Sequence, residues 1–412
     1  MFSENDIPRL RADLEIIPTS SGGKTALVIR DHLGLVRDPV LIQSDGLVLL
    51  GLIDGKRSLR DIQVALIRQR GGMMVTLESV GRLMEELDDA FLLQSERYLR
   101  ERERVFDEYR RLEVRAASLA GRSYPGRAGD LGLYLDSILR PDKFPAEAVD
   151  SRPIRGLIAP HIDLEVGARV YATAYNAVRA LAPRTIILLG TGHGMGEAYY
   201  SLTEKDFQTP LGLVKTEKAL VRKLRKAGGP AVEDSDLSHR LEHSLEFQLI
   251  FLQHLFGSGF TLVPILCGSF VGALDRASRP AGIAGAGELL TLLKFVRDEK
   301  GPDCLVVAGV DFSHIGPKFG HDRNASLLIP EARDHDQKLI EALSRGDVEG
   351  FWAESRRVAD RFNVCGFSAM ASLLEILPEA KGRLLDYEFW KEEPTRSAVS
   401  FAAIVFREFH NI

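Results

Sequence analysis

Four short apolar runs, alternating with helical patterns, constrain the fold of this chain more than any other feature. The runs are rich in Ile, Val and Leu and span residues 155–159, 184–189, 260–266 and 304–309. Continuous apolar runs of this length are expected for strands that are buried on both faces. The helical patterns span residues 167–181, 218–227, 243–256 and 284–296. This alternation predicts an α/β fold with a central mixed, largely parallel sheet flanked by helices.

Length and a change of character along the chain indicate two domains. At 412 residues the chain exceeds what one hydrophobic core usually organises. Residues 1–112 read as a small helix-rich domain, because Ser58 and Asp61 have the spacing of a capping box and a second helical pattern follows Thr76. A stretch punctuated by Pro and Gly then leads into the α/β domain, which we place at residues 116–412.

The end of the first domain carries a further pattern. Residues 91–99 suggest a short extended segment that leads into a charged helix over residues 101–117. The order of helix, helix and β-wing resembles the winged-helix-like domains of the PqqD type, and the resemblance rests on DGKRSLRDI, a Leu-Asp pair and FLL. It implies a peptide- or partner-binding role, with an accessory packing domain as the alternative.

Composition excludes several classes of partner. The formal net charge of -5 leaves no basic footprint for nucleic acid or for an anionic membrane surface. No apolar run is long enough to span a bilayer, and acidic residues near the N-terminus do not fit a secretory signal, so we expect a cytoplasmic protein. The cysteines, Cys267, Cys304 and Cys365, are too far apart for a disulfide framework or a CxxC zinc pattern, so each is a free thiol or a lone metal ligand.

Three of the predicted strands run into a histidine. His161 follows the first strand in APHID, His193 follows the second in GTGHG, and His314 follows the fourth in VDFSH. One such histidine is more often a capping or core residue. Three at equivalent positions would meet at the carboxyl edge of the sheet, where open α/β folds bind ligands. Neutral imidazoles at that edge can bind iron, copper or zinc.

Two predicted helix starts add candidates. His243 and Glu246 lie one turn apart and so on one face of a helix, either as part of a pocket or as a local capping motif. Cys365 precedes a helical run, where a helix N-terminus would lower the pKa of its thiol, and an inert buried cysteine is the alternative.

The glycines at positions 190, 192 and 194 are predicted to let the backbone turn tightly and approach a ligand closely. The segment GTGHGMG lacks the lysine and the Ser/Thr pattern of a phosphate loop, which disfavours that interpretation.

Several of these segments, taken in order, resemble the Memo family, the protein B component of the AmmeMemoRadiSam group, which shares its fold with class III extradiol dioxygenases. The segments are AGRSYP, APHID, LLGTGH, EHSLEFQLIFLQHL, VPILCGSF, DFSHIG, NVCGF and SAVSFAAIVF. They extend over nearly all of residues 116–412.

The resemblance implies a set of site residues. The metal ligands of the family correspond to His161, His193 and Cys365, and the dioxygenase-like acid/base histidine corresponds to His314. Asp311 or His243 would tune that histidine, and His243 with Glu246 corresponds to the HSxE pocket segment. Two histidines and one thiolate suit iron or copper, and zinc less selectively.

The resemblance also implies a metal-dependent redox enzyme that acts on a phenolic compound or a peptide side chain, alongside radical-SAM and AMMECR1-type partner proteins. Where many relatives read APHAGY this chain has APHID, so the pocket wall differs. A cysteine in place of the dioxygenase carboxylate puts dioxygenase activity in doubt, because thiolate donation changes the potential of iron. The alternatives are a non-catalytic scaffold that holds a peptide in the cleft, and hydrolysis by a zinc-bound water.

Overall fold

The computed structural model describes residues 2–21, 24–36, 40–140 and 152–409, and the chain divides into two compact units. One unit is Met1–Arg111 with Glu393–Thr395, and the other is Leu112–Glu392 with Arg396–Ile412. None of the helices in the described ranges combines the length and the apolar character that crossing a membrane requires.

The N-terminal unit combines a small sheet with four helices. Its elements are β1 (Leu14–Ser21), β2 (Lys24–Asp31), β3 (Val40–Gln43), α1 (Ser44–Leu52), α2 (Leu59–Gln69), α3 (Leu77–Asp89) and α4 (Glu96–Arg111). The three strands form an antiparallel sheet in the order β1-β2-β3, ahead of the helices. We did not predict these strands from the sequence.

The structure confirms the predicted capping box of Ser58 and Asp61, but the charged helix begins earlier than predicted. Ser58 accepts a hydrogen bond from the Asp61 N–H at 3.2 Å, and the Asp61 carboxylate accepts one from the Ser58 N–H at 2.9 Å. The extended segment predicted over residues 91–99 is shorter, because α4 already begins at Glu96. The helix ends at Arg111, before the predicted end at residue 117. The hydroxyl of Ser95 accepts from the Tyr98 N–H at 3.2 Å, which stabilises that earlier start.

The larger unit alternates strands and helices. Its first elements are β4 (Val114–Arg115), α5 (Ala128–Ile138), β5 (Ile154–Ala159), α6 (Ala168–Val178), β6 (Thr185–Thr191), β7 (Tyr200–Leu202), β8 (Asp206–Thr209), β9 (Gly212–Thr216), α7 (Lys218–Gly228) and α8 (His243–Phe256). They are followed by β10 (Thr261–Cys267), α9 (Ala286–Lys300), β11 (Cys304–Gly309), β12 (His314–Ile315), α10 (Ala325–Arg345), α11 (Val348–Val358), α12 (Phe367–Ile376), β13 (Ala380–Glu392) and β14 (Ser397–Glu408).

The described strands of this unit form one mixed sheet. Its main path runs in the order β12-β14-β5-β11-β6-β10-β9-β8-β4, with β13 beside β14 and β7 beside β10. The neighbours from β5 to β9 along this path are parallel, and β14 joins β5 antiparallel. All four predicted strands are present, as β5, β6, β10 and β11. The predicted α/β fold with a mixed, largely parallel sheet is therefore confirmed.

Helices cover both faces of the sheet. Along β6, Ile187 and Leu189 belong to one apolar cluster and Ile186 and Leu188 to another, because successive side chains of a strand point to opposite faces. The first cluster includes side chains of α7, α9, α10, α11 and α12, and the second includes side chains of α5, α6 and α8. Every residue of β6 is buried, as its continuous apolar run predicted.

Two glycines in register bring α8 close to the sheet. Gly190 on β6 pairs with Gly309 on β11. A Cβ atom at Gly190 would lie 2.5 Å from Ser244 Oγ, and one at Gly309 would lie 2.5 Å from the Ser244 carbonyl oxygen. Gly190 therefore makes room for the first turn of α8 rather than for a ligand, which corrects our expectation. His243 is in consequence held at the edge where β6 and β11 end.

Candidate metal centre

Three imidazoles meet at the carboxyl edge of the central strands. His161 follows β5, His193 follows β6, and His243 is the first residue of α8. The ring centroids are 5.0 Å apart for His161 and His193, 5.1 Å for His161 and His243, and 4.8 Å for His193 and His243. One ligand nitrogen from each ring lies within 4.8 Å of the other two, so the three residues could hold a metal ion together.

The Nδ1 atom of each imidazole already has a partner. His161 Nδ1 lies 3.0 Å from the carbonyl oxygen of Gly309. His193 Nδ1 and His243 Nδ1 each lie 3.1 Å from the carboxylate of Glu242. Partners of this kind fix the tautomer of a metal-binding histidine and leave Nε2 as the ligand atom.

Glu242 joins two of these histidines through one buried carboxylate. It caps α8 by accepting from the Ser244 N–H at 2.9 Å, and it also accepts from the backbone N–H of His193 at 3.1 Å. Burial raises the pKa of Glu242, but the charges of His193 and His243 outweigh it and hold the pKa well below its usual range. We did not single out Glu242 from the sequence, although a carboxylate directly before a helix and a histidine was a usable signal.

Cys365 lies beside the same imidazoles. Its Sγ is 3.3 Å from His161 Nε2, and the thiol also interacts with the His193 side chain. Burial raises the pKa of this thiol, while the hydrogen bond with His193 opposes the rise. Of the two interpretations of Cys365 from the sequence, a buried thiol and a thiol with a lowered pKa, the structure favours the first, because desolvation disfavours the thiolate. Cys267 and Cys304 are free thiols buried in the core.

Asp311, in the segment that follows β11, supports His161. Its Oδ1 accepts from the backbone N–H groups of His161 at 3.0 Å and Ile162 at 3.3 Å, and its Oδ2 lies 3.6 Å from His161 Nε2. Burial raises the pKa of Asp311 to about 7, against the lowering effect of those backbone bonds. Asp311 thus holds the turn that carries His161.

His314 stands apart from the three-imidazole group. Its Nδ1 lies 3.0 Å from the Phe312 carbonyl oxygen, and its ring meets the Phe319 ring edge-on at 4.9 Å. The side-chain amide of Asn363 donates to the His314 carbonyl at 3.2 Å, so the segment just before Cys365 is tied to His314. Burial lowers the pKa of His314 to about 4, which leaves its imidazole neutral near pH 7.

Glu246 does not join the histidines. Its carboxylate is fully buried, forms an ion pair with Arg115, and accepts hydrogen bonds from Ser118, Leu119 and Tyr124. The resemblance to the Memo family implied a place for Glu246 beside His243 in the pocket, as a candidate catalytic residue. These contacts give it a structural role instead, because both carboxylate oxygens are engaged within residues 115–124.

The lowered pKa of His314 predicts a pH dependence of stability. Protonation is disfavoured in the folded state, so this residue contributes stability above pH 6.5, and that contribution is lost as the pH falls toward 4. We expect wild-type protein to lose about 1–2 kcal/mol of unfolding free energy between pH 7 and pH 5 that His314→Gln does not lose. Denaturant titrations of both proteins at the two pH values measure this difference. Equal losses in both proteins would contradict the prediction.

The geometry defines a class of protein: an α/β protein with a histidine- and thiol-lined site, able to hold a metal, at the carboxyl edge of its sheet. A family model described as Memo-like protein matches residues 115–405, and the chain therefore belongs to the Memo-like family. The predicted resemblance to this family is confirmed.

Similar proteins include a MEMO1 family protein of Aquifex aeolicus, 29% identical over 381 residues, covering 92% of this chain and 95% of the relative. A MEMO1 family protein of Thermus thermophilus is 30% identical over 351 residues, covering 85% of this chain and 99% of the relative. The crystal structure of an uncharacterized protein from Escherichia coli K12 matches with a TM-score of 0.36 and 13% identity, covering 61% of this chain and 99% of that one. That likeness is too weak to bear on the fold.

Proposed function

We propose that this protein is a metal-dependent redox protein that holds iron or copper on His161, His193 and Cys365. The observation that supports the proposal best is the position of the Cys365 thiol, 3.3 Å from His161 Nε2 and in contact with His193. Two imidazole nitrogens and one sulfur thus lie together at the edge of the sheet. Sets of this kind suit iron and copper, and zinc less selectively.

The surroundings of the proposed ligands fit a metal. The Nδ1 atoms of His161 and His193 are held by a carbonyl and a carboxylate, which supports binding through Nε2. Burial, with the charges of His193 and His243, lowers the pKa of His161 well below its ordinary value, so this ligand binds without losing a proton. Bound iron or copper would supply one-electron redox chemistry.

We assign the remaining site residues to the handling of substrate and protons. His314 is the candidate general acid/base toward a phenolic or peptide substrate; its imidazole is neutral near pH 7, but the lowered pKa makes it a weak base. We assign contact with the substrate to His243, about a third of whose side chain is exposed. Membership of the family supports work alongside radical-SAM and AMMECR1-type partners, for which the N-terminal unit would present a peptide.

Metal content tests the proposal directly. We expect about one equivalent of iron or copper, by mass spectrometry, in protein purified without air, because the three ligands form one mononuclear site. His161→Ala, His193→Ala and Cys365→Ala should each lose it. Cys304→Ala is the matched control, since Cys304 is a buried thiol at the opposite end of β11, and it should keep the metal.

Two further results would change the assignment. Loss of metal in His314→Gln would move His314 into the ligand set and contradict its role as the general acid/base. Wild-type protein that takes up no metal, even after reconstitution with iron, copper and zinc, would overturn the redox proposal. The cleft would then be a binding site for a peptide on a non-catalytic scaffold.

A further inference from the structure

A buried arginine lies against the turn that carries Glu242 and His243. Arg115, on β4, is only 2% exposed. Its Nε donates to the carbonyl oxygen of His239 at 3.0 Å, and one terminal nitrogen donates to the carbonyl oxygen of Glu242 at 2.8 Å. The guanidinium therefore holds both ends of residues 239–242, the turn directly before α8.

The charge of Arg115 is balanced by Glu246, one turn into the same helix. The two side chains form a buried ion pair. The carboxylate also accepts from the N–H groups of Ser118 at 2.9 Å and Leu119 at 2.8 Å, and from the Tyr124 hydroxyl at 2.5 Å. Burial raises the pKa of Glu246, but the charge of Arg115 and these bonds lower it overall, so the pair is ionised.

The contacts continue from this turn to the imidazoles. Arg115 holds the main chain of Glu242, and the side chain of Glu242 holds His193 Nδ1 and His243 Nδ1 at 3.1 Å each. Only the fork of a guanidinium can reach both carbonyls and the Glu246 carboxylate at once, since a lysine ammonium is a single point charge. A change at Arg115 would thus move the Glu242 carboxylate relative to both rings.

We propose that Arg115 is a positioning residue for the metal centre, because it fixes the turn from which Glu242 orients His193 and His243. The inference rests on the proposed function, since it concerns the same metal site. Arg115 touches neither the imidazoles nor the thiol among its described hydrogen bonds, and it acts through Glu242. A purely structural role is the competing explanation, because breaking any buried ion pair destabilises a fold.

The test compares Arg115→Lys with a matched control in the full-length protein. Arg297→Lys serves as the control. Arg297 lies on α9, is also buried, and forms ion pairs with Asp298 and Glu379. Metal-free protein is titrated with Co²⁺, whose visible absorption reports the geometry and the sulfur ligation of the site. The melting temperature of each variant is measured in parallel.

We expect Arg115→Lys to weaken Co²⁺ binding by roughly ten- to a hundredfold and to alter the visible spectrum, as changes behind metal-binding histidines do. Arg297→Lys should lower the melting temperature and keep the wild-type affinity and spectrum. Arg115→Lys with a lower melting temperature but wild-type Co²⁺ affinity and spectrum would overturn the inference. Wild-type protein that binds neither Co²⁺ nor iron, copper or zinc would instead overturn the proposed function and this inference with it.

A second variant keeps the inference testable if Arg115→Lys does not fold. Tyr124→Phe retains both charges and removes only the hydroxyl that anchors Glu246. We expect it to weaken Co²⁺ binding by about threefold, the effect of one hydrogen bond. Unchanged Co²⁺ affinity in Tyr124→Phe, with Arg115→Lys unfolded, would overturn the positioning role.

Discussion

Replacing Glu242 by alanine is expected to weaken metal binding by roughly ten- to a hundredfold, since outer partners of metal-bound histidines have effects of that size. The variant leaves the Nδ1 atoms of both His193 and His243 without their carboxylate partner. The metal affinity of Glu242→Gln should lie between that of Glu242→Ala and that of the wild type, because an amide keeps one acceptor oxygen but loses the charge. Titration of metal-free protein with Co²⁺ or Zn²⁺ measures the affinities.

Glu242 also caps α8, so a control must separate the cap from the metal site. Asp347 caps α11 by accepting from the Gly350 N–H at 2.8 Å, and it has no described bond to the imidazoles. Asp347→Ala should therefore cost about 1 kcal/mol of stability, as the loss of a cap does, with no change in metal affinity. Glu242→Ala that behaves like Asp347→Ala would show that the carboxylate serves only the helix.

The second large effect is expected at Trp352, where alanine should lower the free energy of unfolding of the larger unit by about 3–5 kcal/mol. This side chain is fully buried on α11, with ring centroids 5.8 Å from Phe270 and 5.2 Å from Phe367. Its indole N–H donates to the Leu274 carbonyl at 3.3 Å. The cavity left behind would be large, and the neighbouring rings cannot fill it.

The other tryptophan supplies the comparison for this prediction. Trp390 on β13 is only half-buried, so Trp390→Ala should cost less than half as much. Denaturant unfolding followed by circular dichroism measures both variants without relying on tryptophan fluorescence. Equal losses in the two variants would contradict the prediction that the full burial of Trp352 sets the size of its effect.

The strands of the α/β unit were predictable because a strand buried on both faces has a continuous run of apolar residues. Residues 304–309 are apolar without interruption, and the structure places all six of them in the buried strand β11. The strands β1 and β2 were missed because their apolar runs are shorter: Glu15 and Pro18 interrupt β1, and β2 has only residues 26–29 in a row. Each of these strands is stabilised mainly by its pairing with the other, so its own sequence is a weak guide to its structure.

The candidate site was predictable only where it depends on strand ends. His161 and His193 follow β5 and β6, and parallel strands that are close in one sheet bring their carboxyl ends together. His243 joins them from a helix, and nothing in its own segment shows how near that helix comes to the sheet. The approach depends on Gly190 and Gly309, which are far apart in sequence and paired in register.

The sequence by itself therefore determined the α/β class, the main strands, the membership of the Memo-like family and the two histidines at strand ends. These follow from local apolar runs and from motifs that each occupy a few consecutive residues. Only the tertiary structure decided that Glu242 holds two imidazoles, that Glu246 pairs with Arg115, and that burial raises the pKa of the Cys365 thiol. Contacts and desolvation of this kind arise between segments distant in sequence, and they exist only once the sheet and α8 have packed.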